Sequence, residues 1–221
     1  MTVSRPVQTS LIEGMDRPVG TILQSVFTGQ LNADLMEAVA PLYLTGSVLD
    51  VTYGKGKWWD RFTPEPFVFH DLHTVDGVDF RDLPHDNREF ETVCYDPPYI
   101  SAGGAASTPR LREGFRSGFG LTAGRTAGDF DNLVMDGLAE CCRVANRWLL
   151  VKCMEFVGSA KFVDMPTDVT NAAAELGFVK HDQIVHHAGS GPGGHNIFTV
   201  KRARRVHSYL LVFVRKEYAK R

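Results

Sequence analysis

The chain has 221 residues, of which 43% are hydrophobic and 23% are charged, and its formal net charge is −2. This length and composition suffice for one well-filled core, and they exclude wholesale disorder and a polycation. No apolar run approaches the roughly 18 residues of a membrane span, and the beginning of the chain lacks a signal-peptide pattern. The cysteines form no CxxC pair, which favours small buried hydrophobes in a reducing compartment, so we expect a cytoplasmic protein.

Predicted helices and strands alternate along the chain. Residues 1–30 mix Pro, Gly, Ser and Thr, which predicts an irregular N-terminal arm. Apolar residues at helical spacing predict helices at 31–44, 129–147 and 167–176. Apolar runs bounded by polar residues and glycines predict seven strands, at 47–51, 67–72, 77–80, 90–96, 147–154, 178–187 and 206–215.

This order of elements predicts the α/β class with a mostly parallel sheet. The connections between the second, third and fourth predicted strands are short, so their helices should be single turns or missing. We find no internal repeat and no linker, and therefore predict one domain over residues 31–221.

Four acidic residues end four successive predicted strands: Asp50, Asp71, Asp79 and Asp96. Ligands of an open parallel sheet bind beyond the carboxyl ends of its strands, so these acids indicate a site at that edge. An acid after a strand can also cap a helix, which could account for one or two of the four.

Glycines follow the first predicted strand in the stretch DVTYGKGKWW (50–59). Gly54 and Gly56 would let a ligand approach the backbone closely, but the third glycine of GxGxxG and the GxxxxGK[ST] phosphate loop are absent there. A GxGxxG pattern does occur in GSGPGG (189–194), where it contains a proline and opens no helix. That segment is interpreted as a flexible loop.

These residues carry a family resemblance. An acid-x-x-aromatic-Gly-x-Gly after the first strand and DPPY after the fourth resemble the S-adenosylmethionine-dependent amino-methyltransferases of DNA, the adenine-N6 and cytosine-N4 enzymes, over residues 47–215. The resemblance implies a Rossmann-like methyltransferase sheet of seven strands with an antiparallel last strand. Two departures are a tyrosine at position 53, where the family usually has phenylalanine, and the lack of a long target-recognition insertion. The small size suits a solitary, phage-borne enzyme.

The resemblance also implies residue roles, with S-adenosyl-L-methionine as the cofactor. Asp50, Tyr53, Gly54 and Gly56 would lie against its methionine part, Asp71 on its ribose hydroxyls, and Asp79 with Phe80 beside its adenine. Asp96, Pro97, Pro98 and Tyr99 would form the catalytic motif around the target base.

The chemistry of the DPPY motif (96–99) follows from the weak nucleophilicity of an exocyclic amine, whose lone pair is delocalised into the ring. Asp96 and the Pro97 carbonyl would accept its two N–H bonds, and the prolines would fix the direction of that carbonyl. Tyr99 would stack on a base swung out of the duplex. The alternative is a structural acid cap followed by a proline turn.

Basic residues in two segments indicate nucleic-acid binding, in the loop after DPPY and near the C-terminus: Arg110, Arg112, Arg116, Arg202, Arg204 and Arg205. The alternatives are a disordered loop and a solvated C-terminus. The late histidines (181, 186, 187 and 195) show no metal-ligand spacing, so no metal is predicted. Lys152 would touch a phosphate or extend to solvent, and Trp58 and Trp59 would cover the cofactor or fill the core.

The sequence therefore predicts an enzyme that methylates an exocyclic amine in DNA. Adenine N6 is the predicted target, because the adenine enzymes usually have Asp before the prolines and the cytosine-N4 enzymes usually have Ser. The alternatives left open are an RNA base methyltransferase and a catalytically inactive nucleic-acid-binding protein of the same fold. Neither an oligomeric state nor a recognition site follows from the sequence.

Overall fold

The structure, a computed structural model, describes residues 23–29, 31–97, 127–158, 161–187 and 205–219. Its main element is a seven-stranded sheet in the order β1-β8-β9-β5-β4-β2-β3. The strands of this sheet are β1 (Val26–Thr28), β2 (Val48–Asp50), β3 (Phe67–Phe69), β4 (Phe90–Tyr95), β5 (Ala145–Cys153), β8 (Phe178–His187) and β9 (His207–Arg215). Two short strands, β6 (Phe156–Gly158) and β7 (Lys161–Val163), pair separately as an antiparallel hairpin.

The strand directions confirm the predicted fold class. β9 runs antiparallel to both of its neighbours, β5 and β8, and the remaining pairs of the main sheet are parallel. No helix occurs between β2 and β3 or between β3 and β4, as the short connections predicted. The described residues thus form a mostly parallel, Rossmann-like sheet with an antiparallel last strand.

Two strand predictions are wrong. Residues 77–80 form no strand, because Gly77 turns with a φ of +80° and the Asp79 side chain binds its neighbour Arg81. The seventh strand is instead β1, within the segment predicted to be irregular, and it pairs in parallel with the end of β8. The rest of that N-terminal segment, residues 1–22 and 30, lies outside the described residues.

Within the described ranges, three helices flank the sheet: α1 (Asn32–Tyr43), α2 (Ala127–Val144) and α3 (Met165–Glu175). The helix α3 has a well-formed beginning and end. Its N-cap is Asp164, whose side chain accepts a hydrogen bond from the Thr167 backbone N–H, and the chain turns after it at Gly177 with a φ of +91°. None of the described helices is both long and apolar enough to cross a membrane.

Hydrophobic side chains cover both faces of the sheet. One cluster packs α2 and α3 against one face and includes Leu138, Leu149 and Phe213. The other packs α1 against the opposite face and includes Trp58 and Trp59. The central strands are buried on both faces, which explains why β4 and β5 read as almost continuous apolar runs in the sequence. Polar side chains within these strands are therefore exceptions that require an explanation.

Candidate active site

A glycine turn follows β2 at the carboxyl edge of the sheet. Gly54 and Gly56 have φ angles of +56° and +68°, which non-glycine residues rarely adopt. A Cβ atom on Gly56 would lie 2.5 Å from the Tyr53 hydroxyl, whereas the nearest atom to one on Gly54 would be the Thr52 carbonyl oxygen at 3.9 Å. Tyr53 itself stacks on Phe69 with ring centroids 4.1 Å apart. The turn is therefore packed against its own tyrosine at Gly56 and open at Gly54.

Asp50, the last residue of β2, is buried and its carboxylate is turned into the protein. It accepts hydrogen bonds from the Trp59 indole nitrogen at 2.7 Å and the Thr52 backbone N–H at 2.9 Å. Burial raises the pKa of Asp50 to about 7; the Trp59 and Thr52 hydrogen bonds lower it, and the nearby charge of Asp96 raises it further. Asp50 thus anchors the beginning of the turn, and Trp58 and Trp59 fill the core, only 7% and 6% exposed.

Asp71 ties the loop after β3 to the glycine turn. Its carboxylate accepts backbone N–H groups from Gly54 at 2.9 Å, His73 at 2.9 Å and Thr74 at 2.8 Å. Burial alone would raise the pKa of Asp71, but these hydrogen bonds outweigh it and hold the pKa below its ordinary value. Three backbone hydrogen bonds therefore hold this carboxylate, and the Thr74 side chain also acts to lower its pKa.

The pair Asp79 and Phe80 lies beside β4. Asp79 forms an ion pair with Arg81, whose Nε lies 2.9 Å from Oδ1 and 3.1 Å from Oδ2. The Phe80 ring packs on Tyr95, with centroids 5.5 Å apart. Gly137 of α2 permits this packing, since a Cβ atom there would lie 2.5 Å from the Phe80 ring.

Asp96 follows β4 directly and is held against the end of β2. Its backbone N–H donates to the Thr52 hydroxyl at 2.8 Å. Its Oδ1 is buried and has no hydrogen-bond partner of normal geometry within the described residues. Burial raises the pKa of Asp96 to about 6, while the Lys152 ammonium and the nearby Trp58 indole nitrogen act in the opposite direction. Trp58 exerts this influence without a hydrogen bond of normal geometry, because its Nε1 also lacks a partner there.

Four ionisable side chains form a row at the carboxyl edge, on the α1 face of the sheet. The row runs from Asp50 through Asp96 and Lys152 to His186, and each member interacts electrostatically with the next. Asp50, Lys152 and His186 are 3%, 3% and 2% exposed. Lys152 does not extend to solvent, so that interpretation of the residue is wrong, whereas its contact with a phosphate stays a prediction. The missed signal was a lysine inside an otherwise apolar strand.

A second chain of ionisable side chains lies on the loops after β3. His70 Nδ1 lies 2.6 Å from Asp76 Oδ2, and His70 Nε2 lies 2.7 Å from His85 Nε2. His85 Nδ1 in turn lies 3.1 Å from Glu89 Oε1. His70 directly precedes Asp71, so this chain of four side chains braces the loop that carries Asp71. No spacing pattern in the sequence indicates it.

Several predicted residues lie outside the described part of the chain: Pro98, Tyr99, Arg110, Arg112, Arg116, Arg202, Arg204 and His195. Pro97 is described and buried. Arg205 is described, and its guanidinium lies over the Phe162 ring at 4.9 Å. Of the late histidines, His186 Nε2 lies 2.9 Å from the Gly29 carbonyl oxygen, and no cluster of three metal-ligating side chains occurs in the described ranges.

Comparison with known proteins finds structural neighbours but no sequence relatives. No protein-family model matches the chain, and no curated protein does. Among solved structures, TTHA0409 from Thermus thermophilus, a proposed DNA modification methylase also crystallised with S-adenosyl-L-methionine, is 14% identical with a TM-score of 0.41, over 77% of this chain and 54% of that one. The magnesium protoporphyrin IX methyltransferase ChlM from Synechocystis PCC 6803, with bound SAH, is 11% identical with a TM-score of 0.42, over 83% of this chain and 81% of that one.

A third neighbour is the M1.HpyAVI–SAM complex, at 10% identity and a TM-score of 0.32, over 87% of this chain and 56% of that one. The chain therefore spans about half the length of TTHA0409 and M1.HpyAVI. At these identities and TM-scores the likeness carries no argument about function, so the chemistry has to be argued from the side chains at the carboxyl edge.

Proposed function

We propose that this protein transfers a methyl group from S-adenosyl-L-methionine to the exocyclic amino group of a base in DNA, with adenine N6 as the target. The observation that carries this proposal is Asp96. It is a half-buried carboxylate at the end of a central strand, with one buried oxygen that lacks a partner of normal geometry in the described residues. Such an acceptor is costly to bury unless a ligand donates to it.

The residues around the glycine turn suit the cofactor. A Cβ atom at Gly54 would have no neighbour closer than 3.9 Å, which leaves room for the methionine part beside the backbone. The Asp71 carboxylate would accept a hydrogen bond from a ribose hydroxyl, and Phe80 offers an apolar surface for an adenine ring. Asp50 would act through the turn, because its own carboxylate is occupied by Trp59 and Thr52. When bound, S-adenosyl-L-methionine supplies an electrophilic methyl group.

The role of Asp96 is to accept an N–H of the target amine. This hydrogen bond concentrates the lone pair on nitrogen and strengthens as nitrogen becomes positive, so it favours the transition state over the bound substrate. The Pro97 carbonyl is the second proposed acceptor. Thr52 keeps the backbone of Asp96 in place through its hydroxyl, which fixes the acceptor before the base arrives.

DNA is the proposed substrate because of the DPPY motif and its resemblance to the DNA amino-methyltransferases, and adenine because Asp rather than Ser precedes the prolines. Tyr99 would stack on the extruded base, and this stacking would contribute about 1–3 kcal/mol to binding. Arg110, Arg112, Arg116, Arg202, Arg204 and Arg205 would contact phosphates. The chain supplies no large recognition domain between these segments, so short or degenerate target sequences are expected.

The test is transfer of a tritiated methyl group to duplex DNA, single-stranded DNA and RNA, followed by nucleoside analysis. The expected product is N6-methyladenine in DNA. Label in N4-methylcytosine would show that the target base is cytosine rather than adenine. Label in RNA alone would show that the substrate is RNA rather than DNA. Cofactor binding without transfer to any of these would favour a non-catalytic binding protein, and absence of cofactor binding by the folded protein would overturn the methyltransferase proposal.

A further inference from the structure

Lys152 is the immediate neighbour of Asp96 in the sheet. Tyr95, the last residue of β4, pairs in register with Val151 of β5, so the residues that follow them, Asp96 and Lys152, lie side by side. Paired residues of parallel strands project to the same face. Lys152 is only 3% exposed, although it carries an ammonium group. A buried lysine is costly, and its usual justification is a partner of opposite charge.

Asp96 needs such a partner. The Asp96 side chain must be ionised to stabilise the positive charge that develops on the amine nitrogen, yet burial and a second buried carboxylate both oppose ionisation here. Asp50 is that second carboxylate, on the neighbouring strand β2. Lys152 supplies the compensating positive charge from the other side, on β5. The titratable groups that interact with this pair from the surrounding strands are Asp50 on β2, Cys153 on β5 and His186 on β8.

We propose that Lys152 is a positioning residue for the methyl transfer proposed above: it keeps the Asp96 carboxylate ionised and leaves Asp96 Oδ1 free for the target amine. The interaction is electrostatic rather than a hydrogen bond to Oδ1, which has no partner of normal geometry among the described residues. The negative charge of Asp96 is thus compensated, while Oδ1 stays open to the amine. A direct ion pair at Oδ1 would compete with the amine for the same lone pairs.

The test reads Asp96 directly, by carbon NMR of aspartate labelled at the side-chain carboxyl. Comparison with Asp96→Asn assigns its signal. Lys152→Met keeps the length and removes the charge, Lys152→Arg keeps the charge, and Lys180→Met, at an exposed position of β8, is the matched control. We expect the Asp96 titration midpoint to rise by about 1–3 pH units in Lys152→Met, in line with loss of a nearby opposite charge. Lys152→Arg should stay near the wild-type midpoint, and Lys180→Met should match it.

An unchanged Asp96 midpoint in folded Lys152→Met would overturn the inference. If that variant does not fold, the reciprocal measurement decides. The Lys152 Cε signal should titrate at lower pH in Asp96→Asn than in the wild type, because the ammonium has lost its counter-ion. An identical Lys152 titration in the two proteins would equally overturn the inference.

The activity readout separates this inference from the proposed function. In a plot of kcat against pH, the acidic limb of Lys152→Met should move to higher pH by the same interval as the Asp96 midpoint. Below that midpoint the rate should fall about tenfold for each pH unit. At pH above the new midpoint, kcat should return to near the wild-type value, which a merely structural defect would not allow. If the wild type transfers no methyl group, the function fails while the NMR titrations still decide whether Lys152 controls Asp96.

Discussion

The Asp71 carboxylate holds the backbone N–H of Gly54 at 2.9 Å, across 17 residues of sequence. Together with the Thr74 hydroxyl, which donates to the Gly54 carbonyl, this contact joins the loop after β3 to the glycine turn after β2. Both proposed cofactor-binding segments are thereby built as one unit. Their shape is set by a side chain that was predicted only to contact a ribose.

Asp71→Ala should therefore lower stability as well as cofactor affinity. Hydrogen bonds to a charged group contribute about 1.5–3 kcal/mol, so denaturant unfolding should show a loss of that order. Calorimetry with S-adenosyl-L-methionine should show weaker binding in the folded fraction. Asp60→Ala, which removes an exposed acid paired with Lys57, is the control. Weaker cofactor binding with unchanged stability would mean that the hydrogen bonds to the turn contribute little.

Gly54→Ala and Gly77→Ala form a matched pair of variants. Both glycines have positive φ angles, +56° and +80°, and neither added methyl group would lie closer than 3.9 Å to another atom. Both variants should therefore lose a similar stability of about 1–3 kcal/mol from backbone strain. Only Gly54→Ala should also weaken binding of S-adenosyl-L-methionine, because its methyl group would enter the proposed site. Equal affinity in the two variants would place the methionine part elsewhere.

The buried carboxylate of Asp50 predicts a pH dependence of stability. Its pKa is raised to about 7 in the folded chain against about 3.9 when unfolded, so between these values the native state binds more protons. Stability must then fall as pH rises from about 4 to 7, by up to about 4 kcal/mol from this group. Asp96, with its pKa raised to about 6, acts in the same direction.

Asp50→Asn should flatten this dependence. The measurement is urea unfolding at intervals from pH 4.5 to 8.5, with the difference between variant and wild type as the readout. The amide loses one of the two acceptors used by Thr52 and Trp59, so the variant should be less stable at low pH, and that deficit should shrink as pH rises. A deficit that stays constant across the range would show that Asp50 is ionised throughout.

Asp96→Asn should lower the rate of methyl transfer on the order of a hundredfold, the effect of losing one preorganised electrostatic interaction. The amide is nearly the same size and lacks the negative charge. Cofactor affinity should change little, because the cofactor-binding residues proposed above are on other loops. Single-turnover transfer measures the rate, and circular dichroism confirms the fold. If the variant kept the full rate, residues 96–98 would have a structural role only.

The basic C-terminal segment should control the salt dependence of DNA binding. Replacement of Arg202, Arg204 and Arg205 by alanine should flatten the slope of log K against log salt by about 0.9 for each duplex phosphate that the variant no longer neutralises. Binding is measured by fluorescence anisotropy over a salt series. Arg61→Ala is the control, because Arg61 is exposed and pairs with Asp34. If the triple variant kept the wild-type slope, these arginines would not contact DNA phosphates.

The fold was largely predictable because buried parallel strands produce long apolar runs, as in β4 and β5. The edge of the sheet was not, because β1 has three residues and only its middle one is partly buried. In the site, the acidic residues could be found by their positions after strands. The donors that occupy Asp50 and Asp71 could not, since Trp59 and Gly54 reach these carboxylates only through the tertiary fold.

The pairing of His70 with His85 determines how many hydrogens the side chains around it must share. Three hydrogen bonds join Asp76, His70, His85 and Glu89, and each of them requires one proton between its two polar atoms. Two neutral imidazoles bring only two. The third hydrogen bond therefore needs a hydrogen beyond those two. The brace beside Asp71 is complete only when its four side chains share three hydrogens between them.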